Sequence, residues 1–359
     1  MANAAEVCIV QPYVPLYRVA FFSGLREVLS RDGIGMTVVA GKPNGSQAAR
    51  GDQARAEWAV DGAPRQLQVA GRTLTVGNTR RFWKGADAVI MPLMGSSLDP
   101  YLALTSRNTS VGLWGHVESY VSPPNPLDAA LERWMVRKAD HIFAYTPTGA
   151  RKAISWGAHP HDVTTVMNSV DTTALRRDLR AVRSAVDLDK TKIATFASLG
   201  GLDSSKRLGF LAEVLQILAD RDVPVRILVG GEGEDRHLLD SAAGRGQVRI
   251  LGYVGGHDKA NLLAQSIAIL SPGRIGLLAV DALAAGIPII TTTWPYHAPE
   301  AEYLAEGVSV FTSQDTPLAY ADLVERIANR SGFGPADWDY PTLEQMVQNY
   351  HQGVLKLLA

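Results

Sequence analysis

The chain has 359 residues, a formal net charge of −1 at pH 7 and 46% apolar residues. That length suits two domains of ordinary size with ample cores, and the near-neutral charge gives no reason to expect nucleic acid as a partner. The charge is unevenly divided: residues 1–165 hold 17 basic against 13 acidic side chains, and residues 166–359 hold 18 against 23. The positive charge is densest over residues 42–84, ending in Arg80, Arg81, Phe82, Trp83 and Lys84. Two readings stand for that cluster: peripheral contact with an anionic membrane surface, or a solvated face around a buried Trp83. Cys8 is the sole cysteine, so no intrachain disulfide forms, which fits a reducing cytoplasm. Residues 1–5 are short and uncharged, so a cleaved leader is not expected. No run approaches the roughly 18 apolar residues of a membrane span.

In chain order, residues 7–10 read as a buried strand containing Cys8, followed by a loop with Tyr17 and Arg18 and a helix over 19–29. Strands follow near 36–40, 67–69, 74–76, 87–91 and 109–114. The strand at 109–114 runs into Gly115 and His116, which places an imidazole at a strand end rather than in the core. A helix over 127–138, a strand at 141–145, a helix to Trp156 and a strand at 164–166 complete the first half. The hinge is expected near 168–186, with the Arg-rich run 176–183 as a solvated helix. The second half repeats the alternation, with strands at 193–199, 225–229, 248–251 and 267–270, and helices at 208–219 and 259–265. Helices at 318–328 and 343–358 follow. This pattern predicts an α/β protein with two parallel-sheet domains. No Cys/His spacing fits a structural metal site.

The stretch that organises the second half is residues 271–302. Pro272 and Gly273 end a strand, residues 276–285 are rich in helix-forming Leu and Ala, Gly286 suits a helix stop, and 289–293 is β-branched. A glycine turn that opens a helix gathers free N–H groups and suits a phosphate. Asp281, one and a half turns into that helix, is within reach of ribose hydroxyls. A plain crossover with a capping glycine is the bland alternative. Trp294 to Glu300 reads as a loop fixed by Pro295 and Pro299.

Ser271-Pro272-Gly273-x-x-Gly276-Leu277, then Asp281, then Ala-x-Gly-x-Pro-Ile-Ile, resembles the donor signature of family 4 retaining glycosyltransferases of the GT-B fold. That family carries a Glu on the position of Gly273 and a second on that of Asp281. This sequence is similar to a branch with Pro-Gly-x-x-Gly-Leu in place of Glu-Gly-Phe-Gly, in which backbone N–H groups take more of the work. Tyr17-Arg18 before Phe21-Phe22, and His297-x-Pro-Glu300, fit the same branch.

The resemblance implies two Rossmann-like domains facing a cleft. Residues 1–168 would bind the acceptor, 169–340 the donor, and 341–359 would be a helix crossing back. It implies a nucleotide diphosphate sugar as donor, with uridine the favoured base. A saccharide, lipid-linked or small-molecule hydroxyl would accept it, in cell-envelope polysaccharide or glycoconjugate synthesis at the inner face of the membrane. No metal and no cofactor are expected. His116, Lys206 and Glu300 are implied as catalytic. Lys206 takes the phosphates; the family's Arg five positions earlier is Gly201 here, with Arg207 or Arg274 as stand-ins. Gly200, Gly231 and Gly233 let the backbone approach the nucleotide. Tyr253 and Val254 lie at the base, and Asp281 at the ribose. Gly273, Ile275, Gly276 and Leu277 form the phosphate turn, with His297 and Glu300 at the sugar. Tyr17, Arg18, Trp114 and Glu118 are implied on the acceptor side.

Three other functions compete with this reading. A dehydrogenase is disfavoured because Gln11-Pro12-Tyr13 stands where a Gly-x-Gly-x-x-Gly would follow the first strand, and Arg236 replaces the third glycine after Gly233. A GT-B nucleotide-sugar epimerase would recruit His116, His297 and Glu300 as acid and base. A non-catalytic binding protein would explain the losses at 201 and 273.

Overall fold

The computed structural model describes residues 5–43, 53–54, 57–62, 65–69, 72–117, 120, 125–185, 193–330 and 335–359. The chain divides into two compact units, Met1–Val170 with Pro341–Ala359, and Asp171–Tyr340.

The first unit carries a seven-stranded sheet. Its strands are β1 (Glu6–Gln11), β2 (Gly35–Ala40), β3 (Ala59–Asp61), β6 (Ala88–Pro92), β7 (Ser110–Gly115), β8 (His141–Ala144) and β9 (Val163–Thr165). They lie in the order β3-β2-β1-β6-β7-β8-β9, and every pairing is parallel. A separate antiparallel pair, β4 (Arg65–Val69) and β5 (Arg72–Val76), precedes β6. Continuous apolar runs such as Val7-Cys8-Ile9-Val10 are buried on both faces, as a parallel sheet covered by helices requires. Burial of Cys8 pushes its thiol up to about 12, so it is a packing group. The covering helices are α1 (Val19–Arg31), α2 (Arg80–Trp83), α3 (Asp99–Leu104), α4 (Pro126–Lys138) and α5 (Pro147–Trp156). Trp83 is buried. Residues 44–52, 55–56, 63–64 and 70–71 of that cluster lie outside the described residues.

The second unit carries six parallel strands. These are β10 (Ala194–Leu199), β11 (Val225–Gly230), β12 (Val248–Ile250), β13 (Ile269–Leu270), β14 (Ile289–Thr292) and β15 (Val310–Ser313), in the order β12-β11-β10-β13-β14-β15. Helices α6 (Thr173–Ala185), α7 (Leu208–Asp220), α8 (Asp240–Gly244), α9 (Gly256–Ala264), α10 (Leu278–Ala285) and α11 (Pro317–Ala328) cover it. Helix α6 corrects the expectation of a solvated helix. Leu175, Leu179 and Val182, at helical spacing, are buried with Ala260, Leu263 and Ala282, and Arg183 donates to the last carbonyl of α10, Ala285 O, at 2.7 Å. Only its other face is wet.

The final helix, α12 (Leu343–Leu358), opens with a capping box between Thr342 and Gln345 and packs on the first unit. Its Tyr350 stacks on Phe143 at 4.5 Å and meets Phe21 and Trp114 edge-on. In each sheet the strand order reverses once, at β1/β6 and at β10/β13. In open α/β sheets, ligands sit outside the carboxyl ends of the strands at such a point.

His141, 1% exposed, shares a hydrogen bond of 2.8 Å with Thr164 Oγ1 in the first unit. Burial, with help from Lys356, pushes its imidazole down to about 4. The folded group stays neutral where the unfolded one, near 6.5, takes a proton, so stability is lost as pH falls from 6.5 towards 4. The expected loss is up to about 3 kcal/mol, and the variant His141→Asn should lack it. Urea unfolding across that pH range measures the difference.

Candidate functional site

At the carboxyl edge of the second sheet, three loops meet around the reversal point, and their backbones are in contact. The loop after β10 holds Gly200, at φ +123°, Gly201 and Lys206. The loop after β11 holds Gly231 and Gly233. A Cβ on Gly231 would sit 1.9 Å from the Gly200 carbonyl oxygen, and one on Gly233 would sit 2.2 Å from that of Leu202. Neither site admits a side chain. Gly200 N–H donates to Gly230 O at 3.0 Å and Leu202 N–H to Glu232 O at 2.8 Å, which ties the two loops.

The third loop, after β13, closes on the first. Arg274 N–H donates to Ser205 O at 2.8 Å, and Lys206 Nζ donates to Arg274 O at 2.9 Å. A Cβ on Gly273 would lie 2.2 Å from Ser205 O and 2.8 Å from the Lys206 carbonyl carbon. The glycine found where the resembled family has Glu is therefore a packing requirement, because the neighbouring backbone fills the space a side chain would occupy. Helix α10 starts at Leu278, two residues later than expected, so Asp281 stands in its first turn. Among the described residues, no backbone carbonyl accepts from the N–H of Gly276 or Leu277. The N–H of Ile275 is different: it donates to His297 Nδ1 at 3.2 Å. This corrects its place among the phosphate-binding groups.

The same hydrogen bond fixes His297 as an acceptor at Nδ1. Burial first, then the nearby Lys206 and Arg274 cations, lower its imidazole below the ordinary value, and a hydrogen bond to the Thr292 backbone opposes them. His297 is thus held neutral. Its loop folds over the α10 turn: Ala298 N–H donates to Ile275 O at 2.7 Å, and Arg274 Nε to Tyr296 O at 3.4 Å. Glu300, 3% exposed on the short turn Pro299–Tyr303, brings Oε2 to within 3.8 Å of where a Cβ on Gly276 would stand. Lys206, Gly276, His297 and Glu300 therefore converge on one spot.

Two residues behave differently from expectation. Arg207 is committed to structure: it donates to Pro272 O at 3.1 Å and pairs with Asp315, and its guanidinium lies 4.4 Å from the Phe210 ring. Through Nη1 it clamps the loop ends together. Asp281 Oδ1 pairs with Lys259 Nζ at 2.8 Å, a partner from α9 that no local sequence signal announces. Tyr253 is 67% exposed beyond Gly252, and Val254 packs against Gly230.

In the first unit, the loop after β1 carries Tyr17 exposed and Arg18 buried. Arg18 donates to Asn168 Oδ1 at 2.6 Å and lies within 6 Å of the rings of Tyr17, Phe21, Trp114 and Tyr145. Trp114 is 3% exposed among Phe21, Tyr145 and Tyr350. Both are core groups, which corrects their expected acceptor contacts; Trp114 stands at a strand end, but its large ring packs inside, its indole Nε1 unpartnered among the described residues. His116, half-buried, meets the ring edges of Tyr120 and Tyr145 at 5.6 and 4.5 Å. Glu118 lies outside the described residues.

Two Rossmann-like units with parallel sheets, each reversing once, define the GT-B fold. Residues 193–330, the larger part of the second unit, match the family described as glycosyl transferases group 1. Over the full fold the chain is similar to lipopolysaccharide outer core galactosyltransferase WaaB in its apo form, with 14% identity, TM-score 0.63 and coverage of 98% of this chain and 99% of that one. It is also similar to the Anabaena protein HepE in complex with UDP, with 12% identity, TM-score 0.60 and coverage of 98% and 97%. A third likeness is to UDP-GlcNAc 2-epimerase from Methanocaldococcus jannaschii, with 14% identity, TM-score 0.55 and coverage of 96% and 98%. No curated protein matches the sequence. The family match supports glycosyl transfer as the class of chemistry.

Restoring the resembled family's carboxylate by Gly273→Glu should fail. Gly273→Ala already overpacks the loop junction and should cost about 1–3 kcal/mol, with Gly273→Glu at or above that range. Denaturant unfolding of both variants measures this; an unchanged stability would show that the loops separate readily.

Proposed function

We propose that the chain is a retaining, metal-independent glycosyltransferase that moves a sugar from a nucleotide diphosphate sugar, a UDP-sugar by preference, to an acceptor hydroxyl. The observation that carries this reading is the convergence of Lys206, the Gly276 and Leu277 N–H groups, His297 and Glu300 at the reversal point of the second sheet. A diphosphate there meets a point cation and the positive end of a helix, and both stabilise the charge that develops on the leaving group. Asp281 accepts from the ribose hydroxyls, held in place by Lys259. Glu300 accepts from sugar hydroxyls, and neutral His297 props the turn from behind through the Ile275 N–H. Tyr253 offers a ring face to the base.

In this reading the first unit takes the acceptor at its own reversal point, where Tyr17 is exposed and His116 stands just past β7. The bond from the anomeric carbon to the phosphate oxygen breaks, that oxygen takes the acceptor proton, and the acceptor oxygen bonds to the anomeric carbon on the same face, so the transfer keeps the anomeric configuration. The acceptor is a saccharide or a lipid-linked saccharide of envelope or glycoconjugate synthesis. A second reading, nucleotide-sugar epimerisation, draws on the likeness to the archaeal 2-epimerase.

Titration with nucleoside diphosphates tests the donor site, because binding to the native state raises the melting temperature. UDP is expected to give the largest rise. Lys206→Ala should weaken UDP about tenfold or more by calorimetry, with the circular dichroism unchanged; undiminished affinity would remove Lys206 from the phosphate site. Proton NMR of the product anomeric signal separates the two readings. A new glycosidic linkage with the donor's configuration supports transfer, and a C2 epimer without acceptor supports epimerisation. Activity should survive exhaustive chelation of divalent metals.

A further inference from the structure

Lys206 is followed by a residue whose backbone conformation is costly for any side chain. Arg207 has φ 55° and ψ 47°, in the left-handed region, and joins the short turn Ser204–Lys206 to the start of α7. Crowding of Cβ disfavours that region, so glycine fills it by default, with Asn and Asp next. An arginine there is an outlier whose cost the surrounding structure must offset, and such outliers cluster at functional sites.

The offset lies in what the side chain holds. Arg207 Nη1 donates to Pro272 O at 3.1 Å and to Thr292 Oγ1 at 3.4 Å, and it pairs with Asp315. The guanidinium lies 4.4 Å from the Phe210 ring and 5.7 Å from that of Trp294, close enough for cation–π attraction. One side chain thus joins the loop after β10 to the ends of β13 and β14 and to the loop after β15. Lys206 takes a different path, to Arg274 O. Consecutive cations therefore grip the two carbonyls that flank Gly273, and the Ser205–Lys206 backbone packs on Gly273 itself. The two grips differ in kind. The Lys206 ammonium is a mobile point charge on a flexible stem, whereas the Arg207 guanidinium is a planar fork seated on rings.

We infer that Arg207 is a positioning residue of the donor site, which holds the loop after β10 against the α10 turn while the Lys206 ammonium turns to the diphosphate. The inference rests on the donor reading of the preceding section. A diphosphate draws the ammonium towards itself and weakens its hold on Arg274 O. The Arg207 grip on Pro272 O and Asp315 does not involve the ligand, so it keeps the two loops in register through that change. Without it, the ammonium would have to close the loops and bind the phosphates at once, and the donor would bind more weakly. The left-handed backbone at 207 is what lets the chain place two neighbouring cations on either side of Gly273.

The test is UDP calorimetry on the full chain as wild type, Arg207→Gly, Lys206→Ala and the double variant. Glycine suits the left-handed backbone, as does the asparagine of a second variant, Arg207→Asn, so both should fold as the wild type by circular dichroism. Each should weaken UDP about tenfold. In the Lys206→Ala background the same change should cost less than about threefold, because the group that Arg207 positions is gone. Unchanged affinity in Arg207→Gly and Arg207→Asn, or an equal loss in both backgrounds, overturns the inference. Asp315→Ala separates positioning from direct contact. It should weaken UDP, since the grip loses an anchor; tighter or unchanged binding beside a loss in Arg207→Gly would make Arg207 a phosphate ligand and overturn the positioning role. A wild type that binds none of the nucleoside diphosphates overturns the donor reading and this inference with it, whereas a wild type that binds UDP with Arg207→Gly unaffected overturns the inference alone.

Discussion

The second unit depends on a close approach of backbones. The three loops at the carboxyl ends of β10, β11 and β13 touch main chain to main chain, at Gly231 against Gly200, Gly233 against Leu202 and Gly273 against Ser205. Side chains at these glycines would hold the loops apart and pull Lys206 away from the α10 turn. With the loops in contact, Lys206 spans to Arg274 O and the turn is fixed before any ligand arrives. Pre-organisation of this kind puts donors in place without reorganisation during the reaction.

The first unit solves the matching problem with side chains. Its loop after β1 is anchored by Arg18, whose charge is taken by Asn168 and by the faces of four aromatic rings. Cation–π contact strengthens when desolvated, so rings can stand in where no carboxylate is placed. Arg18 also donates to Met346 Sδ, and Ser169 N–H reaches the same sulfur. The anchor thus joins the loop to the residues just before Val170 and just after Pro341, where the chain leaves and re-enters this unit.

Much of the fold was legible in the sequence because it rests on local signals. Strands such as β1 and β10 hold short apolar runs ended by turn residues, and the sixteen residues of α12 show its apolar face. The short elements were harder. Ala59–Asp61 and Asp99–Leu104 have too few residues for a period to show. In the candidate site, residue type was legible but engagement was not. Arg207 looks like a phosphate ligand until Asp315, 108 residues away, and the Pro272 carbonyl claim it. Ile275 looks like an open donor until His297 takes its N–H. Trp114 stands beside a strand end, yet its ring is drawn inward by Phe21 and Tyr350, and the latter comes from the far end of the chain. Each miss is a long-range contact that leaves no trace in local spacing.

The glycine at 273 and the His297–Glu300 loop are two aspects of one arrangement. With the Ser205–Lys206 backbone against Gly273, no carboxylate can project from that position. The loop after β14 instead folds back over α10, anchored by the Ala298 N–H on Ile275 O, and delivers Glu300 beside Gly276 from the other side. A carboxylate close to the first turn of a helix is stabilised by the same partial charge that suits a phosphate. Its position also decides which hydroxyls of a bound sugar it can face. The carboxylate near the α10 turn thus comes from the loop after β14, because the backbone packing at position 273 leaves no room for one there.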